Sequence, residues 1–210
     1  MTAAIKRGCR LYLQFPLQPS AILSARLAHA LSNTDPACVL LCTGQPPLDD
    51  DSATLVHLVQ GHGLACLVAN DAGLALRLGA DGVHIEADPT AYAESRKLLG
   101  PNANIGAQCG LSRHDAMLLA EMGVDYVAFG PEDESDIDAI DQCADLISWW
   151  SEIFVVPCVA WNVAGAGEAA RLAALGADFV APAAGLWRHD DASRLIAEID
   201  RAVRQSRSAA

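Results

Sequence analysis

The stretch Leu78-Gly79-Ala80-Asp81-Gly82-Val83 decides the fold, because it occurs three times along the chain in closely similar form. The second copy covers residues 122–127 (MGVDYV), and the third covers residues 175–180 (LGADFV). In each copy the glycine suits the left-handed turn that ends a helix, and the aspartate leads into an apolar strand. The repeat therefore predicts three equivalent helix-to-strand transitions, each with a glycine at positive φ. These glycines are Gly79, Gly123 and Gly176.

Outward from the repeat, short apolar runs alternate with amphipathic stretches along the whole chain. Apolar runs of this kind are typical of parallel strands covered on both faces, and amphipathic stretches are typical of surface helices. The predicted strands are residues 10–15, 37–42, 63–69, 82–85, 104–108, 125–129, 153–160 and 178–182. The predicted helices are residues 20–31, 71–78, 90–99, 112–122, 139–150, 165–175 and 193–203, with a weaker helix after Asp51.

Eight strand–helix units use the whole chain, and the three repeats introduce strands four, six and eight. Alternate strands of an eight-stranded parallel barrel contribute to common interior layers, so the repeat favours an α/β fold with a single (β/α)8 TIM barrel over residues 1–210. An open doubly wound sheet is the alternative, but no Gly-x-Gly-x-x-Gly follows the first strand. In a barrel, the functional residues lie on the loops that follow the strands.

Composition narrows the class of partner. The 210 residues carry 14 Lys and Arg against 26 Asp and Glu, a formal charge of −12 that argues against nucleic acid and anionic membranes. No apolar run approaches the roughly 18–20 residues of a membrane span. The seven cysteines include no Cys-x-x-Cys pair, so we expect reduced thiols and a cytoplasmic protein rather than disulfides or a zinc site.

Several segments at and near the predicted strand ends carry a family resemblance. They are residues 67–71 (LVAND), 75–84 (ALRLGADGVH), 123–131 (GVDYVAFGP), 157–160 (PCVA) and 176–178 (GAD). In order and spacing, the sequence resembles the thiamine-phosphate synthase / thiazole tautomerase family over nearly its whole length. The resemblance implies a barrel that joins a hydroxymethylpyrimidine diphosphate to a thiazole phosphate with Mg²⁺ and releases pyrophosphate. The tautomerase branch isomerises the thiazole instead.

The resemblance also implies a magnesium site after strands three and four. Asn70 and Asp71 match the family's Asn-Asp, which assigns Asn70 to the substrate and Asp71 to the metal. The family's second aspartate falls at Pro89, and Asp88, one residue earlier, replaces it only if the loop shifts. Carboxylates shared with phosphate oxygens are the ligands that Mg²⁺ usually takes.

Other loops depart from the family pattern. Residues 40–44 (LLCTG) lack the cations and the amide of the family's Gln-x-Arg-x-Lys, and residues 132–138 carry five carboxylates where the family has hydroxyls and a lysine. These exchanges would weaken diphosphate binding. Asn162-Val163 replaces a Gly-Gly after strand seven, and Ala184 replaces a serine after strand eight. The resemblance places Asn162 and Ala184 at the substrate.

Other candidates each allow a functional and a structural interpretation. Trp161 and Trp187 either wall a pocket for a flat ring or pack in the core. His84 is either a metal ligand, with Glu86 and Asp88, or a core residue, and we favour the core. Cys42 and Cys109 could meet at the barrel mouth with Asp71, but free cysteines more often pack as small hydrophobes.

The tautomerase role has little support in the sequence. Leu111 occupies the position of the family's histidine, and Ser112 is predicted to be the N-cap of a helix that carries His114 in its first turn.

Three functions stay open, so whether the protein is an enzyme is uncertain. It is an active thiamine-phosphate synthase with unusual loops, a noncatalytic binding or regulatory barrel, or an enzyme of another class with a metal at the acidic rim. The missing cations predict weak or lost synthase activity. The expected partner is a small molecule with a thiazole or pyrimidine ring, and a homodimer is a further option, since a second subunit could supply Lys and Arg.

Overall fold

The computed structural model describes residues 8–17, 21–42, 50–131 and 138–206. In these segments eight parallel strands pair in chain order and close into a barrel, because β1 pairs with β8, and eight α-helices surround it. The predicted (β/α)8 TIM barrel is confirmed. That residues 1–210 form one domain stays a prediction for the segments outside this description. Among the described helices, none is long and apolar enough to cross a membrane.

The elements follow the predicted order. The strands are β1 Arg10–Pro16, β2 Pro36–Cys42, β3 Ala65–Ala69, β4 Gly82–Glu86, β5 Asn104–Gln108, β6 Tyr126–Phe129, β7 Cys158–Val163 and β8 Phe179–Pro182. The helices are α1 Ala21–Asn33, α2 Asp50–Gly61, α3 Ala72–Leu78, α4 Pro89–Leu99, α5 Arg113–Met122, α6 Asp138–Ile153, α7 Ala166–Ala174 and α8 Ala192–Ser206. A short 3₁₀ helix, Ala184–Arg188, follows β8.

The predicted start of the seventh strand at residue 153 is wrong. Helix α6 continues to Ile153, and β7 begins only at Cys158. The ring of Phe154 stacks on Trp150 with centroids 3.9 Å apart, and the Trp150 indole donates a hydrogen bond to the carbonyl of Val156. The apolar run 153–156 therefore caps the end of a helix instead of pairing in the sheet. The strand then continues past residue 160 to Val163, so Trp161 and Asn162 belong to β7.

The three repeat glycines adopt positive φ, as predicted. Their φ values are 68° for Gly79, 96° for Gly123 and 108° for Gly176. Gly79 and Gly123 cap the C-termini of α3 and α5, and Gly176 lies one residue beyond the cap of α7. Left-handed backbone is strained for residues with a Cβ, which explains the glycine in every copy.

The repeat aspartates tie each even strand to the strand before it. Each carboxylate accepts a hydrogen bond from a backbone N–H at or near the start of the preceding strand, and the N–H of the aspartate donates to the carbonyl of that same residue. The carboxylate bonds join Asp81 to Cys66 (2.8 Å), Asp125 to Ile105 (2.7 Å) and Asp178 to Cys158 (2.9 Å). These aspartates thus hold the amino-terminal end of the barrel together.

Buried apolar residues form an outer and an inner cluster, and β1 shows how the sequence divides between them. Leu11, Leu13 and Phe15 face the surrounding helices, whereas Tyr12 belongs to the inner cluster. Successive side chains of a strand point to opposite faces, which produces this alternation. The inner cluster consists of Tyr12, Cys38, Leu40, Leu67, Tyr126, Ala128, Val159, Trp161 and Ala181.

Candidate functional site

A cavity of about 460 Å³ opens at the carboxyl-terminal mouth of the barrel, where barrel proteins place their functional residues. The cavity is bounded by side chains from the ends of β2, β3, β4, β5 and β7 and from the residue after β3. They are Leu40, Cys42, Ala69, Asn70, His84, Glu86, Gln108 and Trp161. The strand ends predict five residues at one rim. Asn70, Glu86 and Trp161 lie together there, Cys109 packs instead in the outer cluster, and Glu132 lies outside the described residues.

Below the mouth, four rings fill the interior. The hydroxyls of Tyr12 and Tyr126 lie 2.8 Å apart, and the Tyr126 hydroxyl lies 3.0 Å from Nδ1 of His84. Trp161 stacks on the His84 imidazole with centroids 4.6 Å apart and planes 12° apart. A Cβ at Gly106 would lie 1.9 Å from the Tyr126 ring, so the absence of a side chain there makes this arrangement fit.

Burial controls the protonation of these groups. It lowers the pKa of His84 to about 3, so the imidazole is neutral near pH 7. Burial also raises the pKa of Tyr12 and of Tyr126 well above the usual phenol value, so both keep their protons. His84 is therefore a buried interior residue, as favoured from the sequence, and it also borders the cavity.

Two polar atoms at the mouth have no hydrogen-bond partner among the described residues. They are Nε2 of His84 and Oε1 of Gln108, whose side chains are 4% and 6% exposed. Nε2 of Gln108 donates to the carbonyl of Gly130 over 3.3 Å. Buried polar atoms in folded proteins are normally paired, so these two are the strongest indication of a ligand at the mouth.

Asn70 lies at the mouth, but its carboxamide already links two strand ends. Its Nδ2 donates to Glu86 Oε1 over 3.2 Å, and its Oδ1 accepts from the Glu86 N–H over 3.0 Å. Asn70 adopts φ 54°, a left-handed conformation that asparagine tolerates better than most residues. The geometry thus gives Asn70 a role in shaping the rim, and its predicted contact with substrate stays a prediction.

Asp71 and Asp88 lie together in a second cavity, of about 590 Å³, beside α3 and α4. Each caps a helix: Asp71 Oδ1 accepts from the Leu74 N–H, and Asp88 Oδ1 accepts from the Thr90 N–H, both over 2.7 Å. In the described residues no group of three or more His, Cys, Asp or Glu could hold a metal ion by itself. The donor set does fit Mg²⁺ bound through the second oxygens of two carboxylates together with phosphate oxygens.

A third cavity, of about 430 Å³, lies between the ends of β7 and β8. Asn162 borders it with φ 55°, and its carboxamide accepts from Gln14 Nε2 over 3.0 Å and donates to the carbonyl of Pro131 over 2.9 Å. Ala184 begins the 3₁₀ helix between two lining residues and adds no polar group. Arg188 lines the cavity, is exposed, and forms no ion pair with any described residue. It is the cationic side chain of this rim.

Several sequence candidates lie away from the mouth. Trp187 is a core residue: its ring packs against Phe15 at 4.9 Å, and its indole donates to the carbonyl of Gln14 over 2.5 Å. Cys109 packs in the outer cluster while Cys42 lines the mouth, so the two do not form a joint thiol site. Burial raises the pKa of both thiols to about 12, which leaves them unreactive.

The remaining expectations concern two loops. Ser112 is the N-cap of α5 and accepts from the Asp115 N–H over 3.2 Å, as predicted, and His114 lies exposed in the first turn. The acidic loop, residues 132–137, lies outside the described residues. The described part of the chain therefore provides no support for the hypothesis of an enzyme of another class with a metal at the acidic rim.

The sequence alone predicts no role in the site for Gln14, Gln108 or Arg188. A signal for the first two is visible in the sequence: each is a polar residue at an inward position near the carboxyl end of its strand. Arg188 carries no such pattern, because it becomes part of the rim only through the 3₁₀ helix after β8.

The fold and these cavities define a ligand-binding (β/α)8 barrel with its site at the carboxyl ends of the strands. Residues 46–186 match the family described as thiamine monophosphate synthase. The chain is 38% identical to a thiamine-phosphate synthase of Rhodospirillum centenum, over 93% of this chain and 98% of that protein. It is 37% identical to one of Hyphomonas neptunium, over 90% and 91%. The chain belongs to the thiamine monophosphate synthase family.

A solved structure supports the fold. The thiamine phosphate pyrophosphorylase from Pyrococcus furiosus superposes with a TM-score of 0.79, over 97% of this chain and 99% of that one, at 20% identity. At this identity the likeness speaks for the barrel architecture and not for the chemistry of the site.

Proposed function

We propose that the protein acts in thiamine biosynthesis as a thiamine-phosphate synthase with slow turnover. It would join a hydroxymethylpyrimidine diphosphate to a thiazole phosphate and release pyrophosphate. The observation that carries the proposal is the arrangement of the rim in a member of this family. A cavity for flat rings lies at the mouth, a pair of carboxylates lies on one side, and an arginine without an ion pair to any described residue lies on another.

The thiazole phosphate would bind with its phosphate group at Arg188. Barrels commonly bind phosphate between the loops after strands seven and eight, beside a short extra helix, and Ala184–Arg188 is such a helix. Arg26 on α1 supports this segment, since it donates to the carbonyl of Trp187 over 3.4 Å and pairs with Asp190. The cation thus stands on an anchored segment.

In the reaction, the thiazole nitrogen forms a bond to the methylene carbon of the pyrimidine as the bond from that carbon to the diphosphate breaks. Asp71 and Asp88 would hold Mg²⁺, which would neutralise charge on the departing pyrophosphate. Trp161 and Leu40 would exclude water from the side of the mouth that they line, and neutral His84 would hold a ring edge rather than transfer a proton.

Slow turnover follows from the charge of the loops. Residues 43–49 and 132–138 contain no Lys or Arg, and the second segment carries five carboxylates. Removing one preorganised donor from a developing charge typically costs about 3–4 kcal/mol in the barrier, so the loss of several slows the reaction by orders of magnitude. A second subunit that supplied cations would restore the rate. That arrangement, like the cytoplasmic location, stays a prediction.

A noncatalytic barrel that binds thiazole phosphate is the second candidate. It is favoured by one observation: both aspartates expected at the metal already cap helices through one carboxylate oxygen. Such a protein would bind the thiazole phosphate and release no pyrophosphate.

Turnover and binding assays separate these functions. The purified protein is incubated with both substrates and Mg²⁺, and thiamine phosphate is quantified by chromatography. We expect slow formation that Asp71→Ala abolishes. Rapid formation would refute slow turnover, and binding of thiazole phosphate without product would establish the noncatalytic barrel.

Arg188→Ala tests the phosphate site. Loss of a charge-assisted hydrogen bond should weaken thiazole phosphate binding by about tenfold or more in calorimetry. Arg201→Ala is the matched control, because Arg201 is an exposed arginine on α8 that lines none of the three cavities. Equal affinities for the two variants would remove Arg188 from the site.

A further inference from the structure

Two buried polar atoms have no hydrogen-bond partner in the part of the chain that the structure describes, and they belong to residues of neighbouring strands that line the same cavity. His84 on β4 pairs in register with Gly106 of β5, and Glu86 pairs with Gln108. His84 and Gln108 are therefore two residues apart in register on the inner face, with His84 deeper and Gln108 nearer the rim. Because both residues line the cavity, a ring that enters the mouth lies beside both of them.

The interior hydrogen bonds decide which atom donates. Each tyrosine has one hydroxyl hydrogen. If Tyr12 donates to Tyr126 and Tyr126 donates to Nδ1 of His84, both tyrosine hydroxyl hydrogens have an acceptor, and the imidazole carries its proton on Nε2. In the reverse order the hydrogen of the Tyr12 hydroxyl would have no acceptor among the described residues, although Tyr12 is only 1% exposed. The Tyr12–Tyr126 pair thus makes Nε2 of His84 a donor.

The orientation of the Gln108 amide follows from its backbone partner. The Gly130 carbonyl can only accept, so the amide must present its NH₂ group there over 3.3 Å. Its Oε1 is then a buried acceptor without a partner among the described residues, on a side chain that lines the cavity. The mouth consequently offers a neutral N–H donor beside a neutral carbonyl acceptor.

We infer that His84 and Gln108 are the specificity-determining pair for the ring at the mouth. The pair selects a neutral heterocycle with an amino group next to a ring nitrogen, as in a 4-aminopyrimidine. His84 Nε2–H donates to the ring nitrogen, and the amino group donates to Gln108 Oε1. Tyr126, supported by Tyr12, is the positioning residue that fixes the imidazole tautomer. The inference rests on the proposed function in one respect, namely that a pyrimidine occupies the mouth.

A ring without the amino group leaves Gln108 Oε1 buried and unpaired, and sites built to bond a polar group reject analogues that lack it. The probes are 4-amino-5-hydroxymethyl-2-methylpyrimidine and the same compound without the amino group, neither of which carries phosphate. Calorimetry or ligand-observed NMR should show at least tenfold tighter binding of the amino compound. Gln108→Leu should remove this preference, and Gln60→Leu on α2 should keep it, because Gln60 lines none of the cavities.

The tautomer has a spectroscopic test of its own. The ¹⁵N shift of His84 Nε2 should be that of a protonated ring nitrogen at pH 7, and Tyr126→Phe should give a mixture of tautomers. A protonated Nδ1 in the wild-type protein would overturn the assignment, as would equal affinity for the two rings. If the ring preference is present but no thiamine phosphate forms, the proposed turnover fails and this inference stands. If thiamine phosphate forms but the protein does not prefer the amino compound, the proposed turnover stands and this inference fails.

Discussion

The two ends of the barrel use polar side chains in opposite ways. At the amino-terminal end the carboxylates of Asp81, Asp125 and Asp178 accept backbone N–H groups of the preceding strands. At the carboxyl-terminal mouth, His84 and Gln108 each leave one buried polar atom without a partner among the described residues. A paired polar atom stabilises the fold, and an unpaired one costs stability unless a ligand or water pairs it. The comparison thus separates the end that holds the barrel from the end that binds.

The aspartates that cap helices at the rim are intermediate between the paired aspartates of one end and the unpaired atoms of the other. Asp71 and Asp88 each use one oxygen to cap a helix and have the other free of partners among the described residues. The same side chain can therefore position a helix and still offer a ligand to a cation.

The largest expected effect is a loss of folding stability at low pH, and it comes from His84 at the mouth. Burial lowers the pKa of His84 to about 3, from an ordinary value of 6.5. The imidazole of His84 takes up a proton near pH 6.5 in the unfolded chain but only near pH 3 in the folded protein. Between these two pH values the unfolded state therefore binds more protons, and the free energy of unfolding falls as the pH falls. Above pH 6.5 His84 has no such effect. Between pH 6.5 and about pH 4 the loss is about 3 kcal/mol. Urea unfolding at a series of pH values measures it.

His84→Gln is the comparison for this prediction, because every other ionisable group is the same in both proteins and Tyr12 and Tyr126 stay protonated. The variant should lose less stability than the wild type over the same window. Should it fail to fold, NMR titration of the wild-type imidazole replaces it, and a His84 pKa near 6.5 would contradict the prediction.

A second, smaller effect is expected at the amino-terminal end. Asp81→Ala removes the acceptor of the buried Cys66 N–H and of Gln60 Nε2, which should lower the free energy of unfolding by about 2 kcal/mol. Asp141→Ala is the control, since its ion pair with Arg171 is 82% exposed on the aspartate side and should change stability by less than about 0.5 kcal/mol. Chemical denaturation measures both. Ligand binding at the mouth should be unchanged in Asp81→Ala, and a binding defect would break the division between the two ends.

The smallest effect tests the repeat glycines. Gly79→Val places a β-branched side chain at φ 68° where no other atom lies within 4 Å, so the cost is conformational, about 1 kcal/mol. Gly167→Ala, at an equally open position inside α7, should instead stabilise by about 0.5 kcal/mol. Thermal and urea unfolding of both variants check the opposite signs, and the same sign for both would contradict the argument.

Local regularities in the sequence predicted most of the architecture. The repeat located three helix ends and three strands, and β5 has the predicted bounds, residues 104–108. Prediction failed at residues 153–156, because an apolar run that covers a helix end has the same composition as one that enters a sheet. Only the stacking of Phe154 on Trp150 distinguishes them.

The site was predictable only in part. Asn70, Glu86 and Trp161 lie at the predicted rim because strand ends in a parallel barrel share an edge, but Cys109, which was predicted there too, packs in the outer cluster. The sequence left a pocket wall and a core position open for both Trp161 and Trp187, and Trp187 packs against Phe15 on the helix side. Trp161 lies within β7, where the alternation of the strand sets its face, whereas Trp187 lies in the 3₁₀ helix after β8. Local sequence does not determine the direction of a side chain beyond the end of a strand.

The sequence by itself determined the barrel, the strand order and the family, because apolar periodicity, the repeat and motif spacing are properties of neighbours along the chain. The tertiary structure alone decided which polar atoms are paired. The Tyr12–Tyr126 hydroxyl pair spans 114 residues of sequence, and the Tyr126–His84 contact spans 42. Hydrogen bonds across a barrel depend on strand register and ring orientation, so the tautomer of His84 and the free oxygen of Gln108 emerge only when the barrel is closed.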